Sequence, residues 1–571
     1  MRAQRAASRN QFIEAVLLSG MLLTFLAVSL SLLPQKGLFI DDSMHMPAGY
    51  SYLLTHDYRL NQEHPPLIKL LSGLGLWRLQ PQFPFDSPGW QQATTPEDPE
   101  DGMTRIEEAF FERNAAQFEQ IAFWGRLPVL LLPLLLLLAV WWLTRQLFGP
   151  VAALIAVFLL ATEPNIAGNS IVVQNDIASA LACVVFVIAL KEFLSGGAVR
   201  GALLLGGALG LALVTKYSLL VLVPVAFVIL LANVAWQLFR KCLSVKSVAL
   251  SLLVFVTAYL VLIAFYSFHV DLPFLLPRYF VYGVHMVMEA TREGRPAFLL
   301  GQVSDTGWWY YFPVAFALKT TIPFLLSSIG GLVWALIQVF RQKRHVLLYA
   351  VAPAVLYLGF TMTSHLDIGV RHLLPMFPFV AVMGAGLVTV VIEFGVQRSR
   401  VLGVALAVVL LLPSLAIAVF SYPNYLTYFS PLAGGSERGW QKLSDSNVET
   451  GQEVKPLARY LKARGQKRVT GIMVGGEFLR FYGVELEDFP GWEDDDDEDS
   501  NNDDSGDADS ADDDSQAQSE PPRITTDYVA IGAWYLTEVD LTDKQKAIID
   551  VYRNQKPEAM VGNSIFVFRR Q

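Results

Sequence analysis

Long uninterrupted blocks of apolar side chains constrain this chain more than any other feature. Stretches such as "LPVLLLPLLLLLAVWW" (127–142) and "SLLVFVTAYLVLIAF" (251–265) carry no charge at all. A bilayer core of about 30 Å needs about 20 residues at about 1.5 Å each, so such blocks read as transmembrane helices. Eleven spans are predicted, at 14–33, 125–145, 149–163, 171–190, 201–215, 218–238, 246–267, 311–340, 346–363, 371–394 and 400–420. The third and fifth are short or Gly-rich, so their boundaries are the least sharp. The first is too long for a cleaved signal and lacks a small-residue cleavage site after it, so it reads as an anchor.

Basic residues set the expected orientation. Arg2, Arg5 and Arg9 precede the first span, which places the N-terminus in the cytoplasm. Alternate loops then carry Arg145, Lys191 with Arg200, Arg240 with Lys241 and Lys246, Arg341/Lys343/Arg344, and Arg398 with Arg400. Every short loop assigned to the inside is basic. The same count puts outside the loop 34–124, the short loop near 163–170, the loop 268–310, the turn 364–370 and everything after 421. Two domains follow: a membrane domain, 1–420, and an extracytoplasmic domain, 421–571.

The net charge of −9 belongs to one segment rather than to the fold. Residues 493–514, "EDDDDEDSNNDDSGDADSADDD", contribute fourteen acids and no base, so the remainder is net positive. With no apolar side chain to bury, the insertion 493–520 is predicted to be disordered, with weak divalent-cation binding as the other reading. Around it lies a compact α/β unit. "VKPLARYLKARG" has helical spacing, while "RVTGIMVGG", "DYVAIGAWYL" and "NSIFVFRR" read as buried strands. The two cysteines, Cys183 and Cys242, lie in or near spans, so no disulfide framework exists.

Ionisable residues in or beside spans are costly, so each poses a functional question. The first outer loop opens "FIDDSMHMPAGY" and continues to "HDYRLNQEHPPLIK". Residues 43–54 and 66–77 suit short helices lying along the interface. Pro65 and Pro66 open the second, and Lys69 falls one turn inside it, as a phosphate ligand at a helix start would. Arg126, Lys216, Arg371 and His372 sit at the same membrane level, and Lys319 lies about two turns inside the eighth span. Taken alone, each cation reads as a snorkelling or paired side chain. Together with Asp41, Asp42 and Asp176 they form a constellation. A carboxylate at the membrane face can act as general base toward an acceptor hydroxyl, and cations can stabilise charge on a leaving phosphate. There is no nucleotide-binding glycine loop and no Cys/His cluster with metal spacing.

The acidic pair followed by "HPPLIK" resembles the first lumenal loop of the protein O-mannosyltransferases. More widely the chain is similar to bacterial phospholipid-carrier-dependent glycosyltransferases of the GT-C fold, relatives of the aminoarabinose transferase of lipid A. The likeness continues through "GRLPVLLL" (125–132), "QNDIASAL" (174–181), "GLALVTKYS" (210–218), "FALKTTIPFL" (316–325), "IGVRHLLPMFPF" (368–379), "YPNYLTYFSPLAGG" (422–435) and "LSDSNVETGQEVKPLARYL" (443–461) to "VGNSIFVF". The resemblance implies a polytopic α-helical membrane protein with interfacial helices around a cavity open to the outside and to lipid, plus a small C-terminal α/β domain. It implies that Asp41 is the catalytic base, with Asp42 beside it where relatives usually have Glu, and that Asp176 is the acid of the second outer loop. Lys69, Arg126 and Arg371 match positions near the carrier phosphate, with His64 and His372 beside them; Lys216 and Lys319 match motifs of less defined role.

Expected partners are a polyprenyl-phosphate sugar donor, a protein, lipid or glycan acceptor, and membrane lipids, with no nucleic acid. No cofactor is required, because polyprenyl phosphate leaves without protonation, and a divalent metal is optional. The expected location is a bacterial inner membrane. Relatives often read DSN-x-DWGQD where this chain has "DSNVETGQE", so Glu449 and Thr450 replace an Asp-Trp pair. The extra β-rich lumenal domain of the eukaryotic enzymes is absent. A transporter or flippase of lipid-linked sugars is the rival class, and a scaffolding protein is a third.

Overall fold

The computed structural model describes residues 2–92, 99–196, 198–273, 275–492, 524–537, 539 and 541–570. The expected acidic insertion, 493–520, lies outside them. Among the described residues eight helices are long and apolar enough to cross a membrane: Arg9–Leu32, Ala115–Phe148, Asn175–Gly196, Tyr217–Phe239, Val245–Phe265, Ile322–Gln342, Phe377–Arg398 and Arg400–Ser421. Three further expected spans are shorter apolar helices, Pro150–Ala161, Val199–Leu213 and His345–Thr361. The eleven predicted spans are therefore eight of spanning length and three shorter ones. Local signals explain one shortening. Gly149, at φ 90°, and Pro150 fix the start of the helix Pro150–Ala161, and Pro164 opens a separate short helix just beyond its end.

The expected span 311–340 is broken. Tyr311–Lys319 ends where Thr320 turns extended, and a new helix, Ile322–Gln342, starts with the Thr321 hydroxyl accepting from the Phe324 N–H. Lys319 thus ends a short helix instead of lying inside a long one. Asn175–Gly196 and Phe377–Arg398 are the most enclosed spans, whereas Tyr217–Phe239 and Arg400–Ser421 turn mostly apolar surface outward. Outward apolar faces of this length suit a lipid surround.

The two helices expected in the first loop form as Ile40–Thr55 and Leu67–Leu76. They cross at glycine. A Cβ added at Gly49 would lie 1.8 Å from the Lys69 carbonyl oxygen, and one at Gly73 would lie 2.6 Å from the Gly49 backbone. The contact is backbone against backbone and cannot relax by a rotamer change. Gly49→Ala is expected to lose at least 1–3 kcal/mol, of the order seen for overpacked cores, read as a lowered thermal midpoint of the purified protein.

The C-terminal domain holds a five-stranded sheet. Its strands are β3 (Arg468–Ile472), β4 (Glu485–Glu487), β5 (Tyr528–Gly532), β6 (Ala559–Val561) and β7 (Ile565–Arg569), following a hairpin of β1 (Ala297–Leu299) and β2 (Gln302–Ser304) in the membrane domain. The order is β4-β3-β5-β7-β6. β3 pairs in parallel with β4 and β5, while β7 runs antiparallel to β5 and β6. All five residues of β5 are buried, as the apolar run "YVAIG" demands of a central strand. The expected helix of 454–465 spans Val454–Lys462.

The segment before that helix ties the domain to the first outer loop. Gly37 N–H donates to the Gln452 carbonyl (2.9 Å), Ile40 N–H to the Thr450 carbonyl (3.0 Å), and Lys36 pairs with Glu453 at 2.5 Å. Glu449 faces the other way, accepting the Val474 and Trp534 N–H groups of the sheet domain at 2.9 and 3.2 Å. Burial pushes its carboxyl up to about 7, although these N–H groups favour the anion. A folded-state value above the unfolded one (about 4.3) means the folded state prefers the proton. Its penalty is absent below about pH 4, grows as pH rises toward 7 and is constant above. Glu449→Gln should therefore gain stability relative to the parent across that window, by roughly 1–3 kcal/mol, in thermal melts at pH 4.5 and 8.

Candidate active site

Asp41 and Asp42 open the helix Ile40–Thr55, where carboxylates suit the helix dipole. Successive helical residues are rotated by about 100°, so the two side chains go to different places. Asp42 is 0% exposed and Arg126 is also 0% exposed. Arg126 Nε and Nη2 lie 2.7 and 2.5 Å from Asp42 Oδ2, and Val173 N–H donates to Oδ1 at 2.7 Å. The Phe39 N–H donates to Oδ2 at 3.3 Å, and Arg126 also donates to the Gly37 carbonyl at 2.5 Å. Burial raises the Asp42 carboxyl above its ordinary value, and Arg126 and the N–H groups pull against it.

Asp41 is 14% exposed and turns instead to Arg371, whose Nη1 lies 2.6 Å from its Oδ2. The same Nη1 donates to Gln174 Oε1 at 2.9 Å, and Arg371 Nε is 3.9 Å from Asp176 Oδ2. Lys216 Nζ lies 2.5 Å from Asp176 Oδ1. The result is an alternating row of charges, Asp41–Arg371–Asp176–Lys216, drawn from the start of Ile40–Thr55, the turn Val370–Leu373, the start of Asn175–Gly196 and the residue that precedes the short helix Tyr217–Val221. The structure brings these four of the expected residues together. Arg371 Nε and His372 Nε2 are buried with no hydrogen-bond partner among the described residues. Polar atoms buried without partners are costly and suit a site that a polar ligand completes.

Two expected phosphate ligands, Arg126 and Lys69, make other contacts in this structure. Arg126 is fully buried and pairs with Asp42 as described, while its Nη1, like Arg371 Nε, is buried with no hydrogen-bond partner among the described residues. Lys69 is 1% exposed, donating to the His64 carbonyl at 2.7 Å, to the Asn61 carbonyl and to the Tyr52 hydroxyl at 3.3 Å. Burial pushes its ammonium down to about 7. These carbonyls belong to the turn between the two helices, so Lys69 closes that turn in this structure. His64 packs edge-on against His45, with ring centroids 5.4 Å apart, and burial lowers both, His45 to about 4. Neutral imidazoles fit there. His45 Nδ1 meets the Val173 carbonyl at 2.5 Å, so Asp42 and His45 together grip the segment before Asn175–Gly196 at Val173.

Three residues at this site have no counterpart among the residues singled out from the sequence. Gln174 joins Arg371 directly. Asp445, in the left-handed region at φ 65°, feels Arg371, Arg295 and Asp41; burial pushes its carboxyl up to about 7. Asn447 accepts the Val370 N–H at 2.8 Å. All three fall within strings that carry the family resemblance, but nothing in their spacing singles them out. A non-glycine residue held in left-handed backbone is typical of functional loops.

No curated protein sequence matches the chain. Among solved structures, it is similar to ArnT from Cupriavidus metallidurans in the apo state, at 15% identity and a TM-score of 0.42, over 82% of this chain and 86% of that one. ArnT from the same organism bound to undecaprenyl phosphate aligns at 12% identity and a TM-score of 0.42, over 96% and 97%. The Archaeoglobus fulgidus oligosaccharyltransferase in the apo form aligns at 11% identity and a TM-score of 0.47, over 82% of this chain and 64% of that one. Residues 116–263, from just before Arg126 to the end of the Val245–Phe265 span, match the family of the dolichyl-phosphate-mannose-protein mannosyltransferases, which this chain resembles.

Proposed function

We propose that the protein is a membrane glycosyltransferase that moves a sugar from a polyprenyl-phosphate carrier to an acceptor hydroxyl with inversion. The observation that carries this reading is the partly open Asp41 carboxylate beside Arg371, Asp176 and Lys216. Asp41 takes the acceptor hydroxyl proton as that oxygen forms a bond to the anomeric carbon. The bond from that carbon to the phosphate oxygen breaks, and polyprenyl phosphate leaves with the electron pair. Arg371, paired with Asp41, and Lys216, paired with Asp176, stabilise the phosphate charge. Asp176 holds both cations in place. Phosphate needs no proton to leave near neutral pH, so one base suffices.

The family match over 116–263 supports the carrier class, and ArnT bound to undecaprenyl phosphate is a structure with similar chain coverage. The basic loop ends Arg145, Lys191, Arg240, Arg341 and Arg398 support a cytoplasmic N-terminus and an outward site in a bacterial inner membrane. The donor sugar is a hexose or pentose, and the acceptor is a protein, lipid or glycan. To test the reading, purified protein is offered a panel of polyprenyl-phosphate hexoses and pentoses with alcohol acceptors. Glycoside of inverted anomeric configuration is the expected product; retained configuration would rule out single displacement by an Asp base.

A further inference from the structure

Arg371 lies in a single short turn, Val370–Leu373, between the turn that starts near Ser364 and the span Phe377–Arg398. One turn makes few hydrogen bonds of its own, so its neighbours decide where Arg371 points. Those neighbours come from the C-terminal segment 444–447. Val370 N–H donates to Asn447 Oδ1 at 2.8 Å, and the Ser446 hydroxyl donates to the Ile368 carbonyl. Both atoms lie within three residues of Arg371.

Asn447 is itself held from every side. It is 2% exposed, and its Nδ2 donates to the Ser444 carbonyl at 2.8 Å and the Tyr311 hydroxyl at 3.2 Å. Its carbonyl accepts from Lys319 Nζ at 2.5 Å. Lys319 is buried at the end of the helix Tyr311–Lys319; its Nζ also donates to the Leu426 carbonyl at 2.7 Å and sits 4.2 Å from the Phe429 ring centroid. An ammonium taken out of water is expensive unless fully hydrogen-bonded. Here it joins two segments of the C-terminal part, 422–435 and 443–461, to the membrane domain.

We propose that Asn447 is a positioning residue for the reaction: fixed by Lys319 and Tyr311, its amide oxygen sets the Val370 backbone and so aims Arg371 at Asp41. This rests on Asp41 and Arg371 being site residues as read above. Removing the acceptor frees the turn, and misplacement near 1 Å is enough to cost about 10²-fold in rate. Asn447→Leu should lower kcat about 10- to 100-fold while leaving the acceptor KM within about twofold. Asn447→Asp keeps an oxygen for the Val370 N–H but loses the Nδ2 donor to Ser444 and Tyr311, so it should recover part of the loss.

The decisive comparison is a double-mutant cycle with Arg371→Lys. If Asn447 acts through Arg371, the two losses are not additive; a residue that merely stabilises the fold would add its loss independently. Additive losses, or no recovery by Asn447→Asp, would overturn the proposal. A cryo-electron microscopy structure of Asn447→Leu supplies a readout that does not need turnover. Arg371 displaced from Asp41 supports the proposal, and Arg371 still 2.6 Å away overturns it. Should the parent protein release no polyprenyl phosphate, the functional reading fails and that structure still decides the positioning.

Discussion

Asp41→Asn loses transfer by about 10²–10⁴-fold, the share a positioned general base contributes, while the protein stays folded. The amide has the shape of the carboxylate and keeps an oxygen for Arg371, but it cannot take a proton. Asp41 and Arg371 are only 14% and 20% exposed, but the amide keeps the hydrogen bond from Arg371 and the shape of the site, so the fold is kept. The loss falls on kcat, because the base acts in the transition state and not in donor binding. The neighbouring carboxylate behaves in the opposite way. Rates of polyprenyl-phosphate release by Asp41→Asn and Asp42→Asn, normalised to folded protein, check the contrast.

Arg126→Met should destabilise the protein by roughly 3–5 kcal/mol, as expected when one partner of a buried ion pair is removed. The change leaves Asp42 buried with two N–H donors and no counter-charge. The Asp42→Asn/Arg126→Met double variant removes the stranded charge and should be less destabilised than the sum of the single variants. Thermal unfolding in detergent reads both. The cost is structural: Asp42, Arg126 and Gly37 form the joint where the first span meets the interfacial helix. If Arg126→Met melts with the parent and loses only donor affinity, Arg126 is a ligand after all.

Much of the membrane part was legible because a bilayer imposes one long apolar run per span. The break in 311–340 was not, since apolar side chains continue across it. The Thr-Thr-Ile-Pro string at 320–323 is a helix-start signature that hydropathy overlooks. Two carboxylates at the outer boundary were visible as well, but not their opposite fates. Those depend on Arg126 and Arg371, 84 and 330 residues away in the chain, and no local pattern reports such pairings. Lys69 and Lys216 looked alike as boundary cations. One closes a turn and the other joins the site, because only Lys216 meets a carboxylate of another loop. Asp445 and Asn447 stayed hidden for the same reason. Their part in the site comes from how the C-terminal domain docks, which composition does not encode.

The central claim is that Asp41 activates an acceptor against a lipid-linked sugar. The most direct measurement follows polyprenyl phosphate released by purified parent, Asp41→Asn and Asp42→Asn proteins from the donor that the panel identifies. The account predicts acceptor-dependent release by the parent and almost none by Asp41→Asn. It further predicts that folded Asp42→Asn retains a turnover well above that of Asp41→Asn. Parent-like turnover by Asp41→Asn would contradict it, as would a parent protein that only carries the lipid-linked sugar across a vesicle bilayer and cleaves nothing.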